Sequence, residues 1–535
     1  MTDNGDDKIS PVTENWSPGG RILGFGHPRF VSLRTVHPPV PQIFQLWQIF
    51  LINVNPIVMC FHAPSIQQMI SEAVSDLGNL AHSTEALLFS IYLSSVASVS
   101  DDVCQRVLGE TRSDLVLRFS EAAEQALVNA EFLRSTNIHA LQALTLYLLA
   151  TRRLYDPHTL WLLTGIPNRI GRAMGLHRED SLRSFSAFER EIRRRLWWQI
   201  VIMDTRSAQL SGVAVDPSFN LSWDTKRPLN LSDSDLCPSM EVLPAESEGP
   251  TEMLFCEIRF EIGECIRQLT VMETGEMGPS NVMPLAEEGR AIDTLETRLE
   301  ARYLRKCDSS IPFHLLAMYL GRSSVCQMRL AIFHPQRYPD KGATLAPDEK
   351  DRLFSLGLQI LEFDNLTYSN TRLRPYLWHV AMSFPFEAFI LVLTELVTRV
   401  QGDSVDRAWA KVSQVYEDHP ELITASKTNT LFFALGGLTI RAWKERAAAV
   451  QKHSSLYLPI EPPFIIKLRV LRDDSPGQEA LYTNASEPAV PQVAGHLAAG
   501  EMDHVMSRTP LATDMTQIDW EYWQNLIGEQ GDFFQ

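Results

Sequence analysis

The sequence predicts an all-α protein, an irregular multi-helix bundle with long acidic loops and disordered termini. Three observations carry this. Apolar residues recur at i, i+3 and i+4 through most of the chain, the spacing of one helix face. Ala and Glu are common in those stretches, while β-branched alternation and Asn-Gly or Asp-Gly hairpin signals are scarce. No segment repeats at a fixed period, which argues against a solenoid. With 535 residues, 45% hydrophobic and 21% charged, the chain is long enough for one large domain or two to three smaller ones.

Residues 1–40 are Pro- and Gly-rich and read as a flexible lead-in. The helical region spans 41–472. Phe44, Trp47, Phe50 and Leu51 share a face, Pro56 interrupts the pattern, and Pro64-Ser65 opens a second helix. Amphipathic helices are predicted over Thr84–Val99, Ser113–Arg134 and His139–Leu154. The same texture returns at Phe255–Leu269, Leu285–Tyr303, Phe313–Phe333, Asp348–Asp364, Leu377–Gln401, Arg407–Val415 and Thr428–Ala449. Asp101-Asp102 reads as a helix N-cap. Asp235–Glu252, acidic and Pro-rich, is predicted to be disordered, as is a linker over 473–512.

Composition excludes several functions. The net charge of -17 opposes phosphate binding unless a local basic patch overrides it. The N-terminus lacks the basic and apolar regions of a signal peptide, and no apolar run approaches the roughly 20 residues that span a bilayer. An intracellular protein that does not enter the membrane is expected. The seven cysteines form no CxxC pair, so neither a disulfide framework nor a zinc site is indicated. No GxxxxGK[ST], HExxH or GxSxG motif occurs, and Gly24-Phe25-Gly26 lacks the third glycine of a dinucleotide loop. No cofactor and no enzymatic activity are expected.

Two groups of residues remain as candidates. Arg169, Arg172, His177, Arg193, Arg194, Arg195 and Asp204 suggest an ion-pair network or an anion site. Pro167 suits a first helical turn and Gly175 a C′ cap, leaving His177 and Arg178 just past a helix end. Arg193–Arg195 then lie near the N-terminus of a helix apolar on nearly every side, where the helix dipole disfavours cations. They need acidic partners or an anionic ligand, and Asp204 at the far end needs a cation. Downstream, Lys226 and Arg227 against Asp224, Asp233 and Asp235 suggest a salt-bridged loop. The second group is the acidic-aromatic tail, 513–535. Asp519, Trp520, Trp523, Leu526 and Ile527 have the pattern of an amphipathic segment that docks in a partner's groove. Packing back on the bundle is the alternative.

Several stretches together resemble the middle homology region of fungal zinc-cluster transcription factors. They include Asn53-Val-Asn55-Pro56 with His62-Ala-Pro64, Met174–Arg178, and the arginines followed by Leu196-Trp197-Trp198 and Asp204. Trp223-Asp224-Thr225-Lys226, Arg329-Leu330 with Pro335, and Asp519-Trp520-x-x-Trp523 also fit. Two departures stand out. Glu179 is inserted before Asp180, and Gly212 is followed by Val213-Ala214 rather than Arg-Pro. The resemblance implies a nuclear regulator of metabolic or secondary-metabolite genes, with a helical regulatory domain and an activation tail. Its implied partners are other transcription regulators or co-activators, in a homo- or heterodimer. The family's six-cysteine cluster has no counterpart in the first forty residues, which hold no cysteine. DNA is therefore expected to be reached only indirectly, or through a separate N-terminal domain. A non-DNA-binding co-regulator or effector-sensing partner is a second reading, and an all-α biosynthetic enzyme a third.

Overall fold

The computed structural model describes residues 30–213, 222–274, 285–338, 344–381, 384–427, 429–453 and 460–473. Every regular element among them is helical. The linker and the tail, including Asp519, Trp520, Trp523, Leu526 and Ile527, lie outside the described residues, as do residues 1–29 of the lead-in. The chain forms two compact units, one of residues 1–55 and 60–175, the other of 56–59 and 176–535.

In the first unit the helices are α1 (Val40–Asn53), then α2 (Asn55–Val58) at its boundary, α3 (Ala63–Ala73), α4 (His82–Ala97), α5 (Asp101–Leu108), α6 (Arg112–Asn129), α7 (Ile138–Thr151) and α8 (Pro157–Ala173). α4 is the centre, packing against α1, α6 and α7. It is buried on every side from Glu85 to Ala97, which explains why its sequence lacks a polar stripe. Ser95 illustrates how such a helix tolerates hydroxyls: its Oγ donates to the Ile91 and Leu46 carbonyls at 2.8 Å. Two expectations change here. α8 starts a full ten residues before Pro167, at Pro157, because the Asp156 side chain accepts from the Thr159 N–H and caps it. Pro167 sits inside the helix. At α5 the N-cap is Ser100, and Asp101 instead occupies the first turn and accepts from the Arg112 N–H at 2.7 Å.

The second unit contains α9 (Glu179–Leu182), α10 (Ala187–Leu210), α11 (Leu254–Thr274), α12 (Leu285–Arg302), α13 (Pro312–Ile332), α14 (Pro347–Ser369), α15 (Leu377–Val380), α16 (Phe386–Thr398), α17 (Asp403–Asp418), α18 (Glu421–Thr424), α19 (Thr430–His453) and α20 (Pro463–Asp473). One core joins α11, α12 and α13 around Ile258, Leu295, Leu299 and Met328. Another joins α14, α16, α17, α19 and α20 around Phe389, Trp409, Leu438 and Ile465. The helix predicted over Leu377–Gln401 is two helices, since Pro385 cannot continue the first one. α13 ends at Ile332, ahead of Pro335.

Asp235–Glu252, expected to be disordered, is anchored by residues outside it. The Asn230 amide donates to the Ser247 and Gly249 carbonyls, both at 2.9 Å, and Glu246 pairs with Arg302 at 3.0 Å. Composition alone missed these anchors because they come from residues outside the segment.

Candidate functional site: a buried arginine–carboxylate network

α10 begins with a capping box. Ser186 Oγ accepts from the Glu189 N–H at 3.2 Å, and Glu189 Oε2 accepts from the Ser186 N–H at 3.3 Å. The helix then turns Ile192, Leu196, Trp197 and Ile200 inward. The three arginines are therefore carried into different surroundings by rotation alone.

Arg193 lies over the Phe185 ring at 3.6 Å and against Glu189. Arg194 pairs with Glu179 through two hydrogen bonds, the longer at 3.2 Å. Glu179 Oε2 also accepts the Lys226 N–H at 3.1 Å, and its own N–H donates to Asp224 at 2.8 Å. So the residue inserted in the family motif is one of those that tie α10 to the following loop. Arg195 is fully buried. It donates to Asp233 Oδ1 at 2.6 Å, to the Leu231 carbonyl at 3.1 Å and to Glu191 Oε1 at 3.4 Å. Glu191 Oε1 accepts the Leu229 N–H at 3.0 Å as well. Burial alone would lower the Arg195 pKa, but Asp233 and Glu191 raise it and keep the guanidinium charged. Burial raises the Glu191 carboxyl, against the opposing influence of Arg195 and the Leu229 N–H.

The tryptophans complete the site. Trp198 Nε1 donates to the Lys226 carbonyl at 3.0 Å, and its ring meets Trp223 edge-on at 5.1 Å. Beside them, Glu261 of α11 is buried with Arg227 at 2.5 Å, Arg298 at 3.3 Å and Arg302 at 3.6 Å. Glu257, one turn before, accepts from the buried Tyr303 hydroxyl at 2.9 Å, and burial pushes its carboxyl up to about 7.

The expected loop pairs are rearranged. Asp233 reaches Arg195, Asp224 lies 3.6 Å from Arg178, and Arg227 goes to Glu261. Besides its own internal bonds, the loop is thus anchored to charged residues outside it, which offsets the cost of burying Arg195. His177 faces Trp197 at 6.1 Å, and its carbonyl accepts the Asp224 N–H. Asp204 lies half-buried in the last third of α10. Arg169 and Arg172 belong to the other unit. Arg172 Nε donates to Asn168 at 3.0 Å, and the exposed Arg169 covers Gly165. Glu179, Glu191 and Glu261 were the residues that sequence reasoning passed over. The signal was present for two of them: Glu191 is one turn before Arg195, and Glu257 and Glu261 are acids one turn apart on an apolar helix.

This arrangement has no nucleophile–base pair, and no cluster of three His, Cys, Asp or Glu that could hold a metal occurs among the described residues. Its chemistry is that of a joint between a helix and a long loop. Residues 47–236, which contain this joint, match the fungal specific transcription factor domain. Across 95% of its length the chain is 39% identical to the aurofusarin cluster transcription factor aurR2 of Gibberella zeae, covering 79% of that protein. The chain belongs to the fungal specific transcription factor family. Other relatives are the transcriptional regulator AacuB of Aspergillus aculeatus, 33% identical over 84% of the chain, and the pyriculol/pyriculariol biosynthesis cluster transcription factor 1 of Pyricularia oryzae, 31% identical over 81%. The chain spans 61% and 58% of those two proteins. In this family member, the motif of basic residues followed by Leu-Trp-Trp is the buried side of the joint.

Proposed function

We propose that this transcription regulator acts in the nucleus on the genes of a secondary-metabolite cluster, with the Arg195 joint holding its regulatory domain in one shape. The likeness to aurR2 over nearly the whole chain carries this reading. The acidic-aromatic segment 513–535, with Asp519, Trp520, Trp523, Leu526 and Ile527, is proposed to recruit co-activators. Fusing it to an unrelated DNA-binding domain should activate a reporter. Loss of that activity on Trp520→Ala/Trp523→Ala is expected, and a silent wild-type fusion refutes the role.

The net charge of -17 and the scattered cysteines favour a second reading for DNA contact. In it the chain reaches promoters through a DNA-binding partner. The two are separated by a gel shift with purified chain at moderate salt. No retention of cluster promoter DNA, together with promoter occupancy in chromatin immunoprecipitation, supports the partner. Salt-sensitive retention by the chain alone refutes it.

A further inference from the structure

α20 presents exposed apolar residues on a basic helix. Its inner residues Phe464, Ile465 and Leu468 enter the core shared with α19. On its outer side Ile466 and Val470, one turn apart, are 50% and 54% exposed, and Ile460 just before the helix is 87% exposed. Exposed Lys467 and Arg469 interleave with them. α19 and α20 together carry seven Lys and Arg against two Asp and Glu, in a chain of net charge -17; of these, Arg469 already pairs with Glu461 at 2.7 Å, Arg446 with Asp406, and Arg472 donates to the Phe433 carbonyl. An apolar stripe edged by cations fits an acidic, aromatic peptide. It disfavours a second copy of itself, which would oppose like charges.

The same chain contains a peptide of that composition. Residues 513–535 hold five Asp and Glu, no Lys or Arg, and Trp520, Trp523, Leu526 and Ile527. Thr513 follows the last residue of α20, Asp473, by 40 positions. A tether of about that many residues reaches over 100 Å when extended, far beyond an 11-residue helix about 16 Å long. It also presents the segment at an effective concentration on the order of millimolar, so a weak contact suffices.

We infer that the outer face of α20 is a docking site for the chain's own segment 513–535, with Ile466 and Val470 receiving its aromatic residues and Lys467 and Arg469 facing its acids. Docking withholds Trp520 and Trp523 from any other protein. The inference does not depend on that segment activating transcription.

The test is chymotrypsin cleavage of the full chain after Trp520, Tyr522 and Trp523, read by mass spectrometry. The variant Ile466→Ser/Lys467→Glu/Val470→Ser changes only exposed positions, and circular dichroism checks its fold. Release of the tail from it should be faster by about fivefold or more, equivalent to ~1 kcal/mol of docking. Arg305→Glu, an exposed cation elsewhere, should leave the rate unchanged. The ratio should survive a roughly tenfold dilution, as an intramolecular contact requires. Equal rates for variant and wild type overturn the inference. A ratio that vanishes on dilution overturns it too, and assigns the face to a second copy. Equal acceleration by Arg305→Glu would reduce the effect to net charge and is the third contradicting result.

Discussion

Arg195 is the residue on which the joint depends. Removing it takes from the buried Glu191 and Asp233 the guanidinium they share, leaving Glu191 only the more distant Arg194 at 3.9 Å. Breaking a buried pair in this way costs about 3–5 kcal/mol. Arg195→Ala should therefore lower the unfolding free energy by that amount in urea, and Asp233→Asn, which keeps a hydrogen-bond acceptor, should cost less. His419 gives a residue-scale pH dependence. Burial lowers its pKa, but hydrogen bonds with Asp364 at 2.8 Å and Glu421 at 3.2 Å overcome this and hold it at about 9. The ordinary imidazole titrates near 6.5. The folded state thus binds the proton more tightly, and the stabilisation is complete below pH 6.5 and lost as pH rises through about 9. Thermal melts should show this loss between those limits, on the order of 3 kcal/mol, and His419→Gln should flatten it.

Elements were legible where their periodicity was strong. α4, α7, α12 and α13 were expected within three residues of their observed ends, whereas α6 stops five residues earlier than expected and α11 and α14 run five residues further; α4, expected to be amphipathic, is instead buried all round. α20 was missed: its apolar residues are interleaved with Lys467, Arg469 and Arg472, and only its packing on α19 shows which side is inner. The start of α8 was misplaced because the cap at Asp156 and the proline at Pro157 offer the same signal as Pro167. The three arginines of α10 were legible as needing acids. Glu179 and Asp233 were not, since they come from elements fixed only by tertiary structure. Helix ends and close packing give two further predictions. Ser186→Ala removes the capping box of α10 and should cost about 1 kcal/mol. At Gly357 of α14, a Cβ would meet Val392 Cγ2 of α16 at 2.8 Å. Gly357→Ala should therefore destabilise by about 1–3 kcal/mol despite alanine's better helix propensity, measured by the same urea titration.

At the scale of the whole molecule, the chain is a helical protein whose family motif serves to bury charge rather than to present it. No helix among the described residues is long and apolar enough to cross a membrane. The chain carries a net charge of -17. Control of a secondary-metabolite gene cluster is tested most directly by genome-wide transcript measurement in a strain lacking this chain. A contiguous set of biosynthetic genes should fall together and recover when the wild-type chain is restored. Unchanged transcripts from every such cluster, under conditions where the chain is produced, would contradict it.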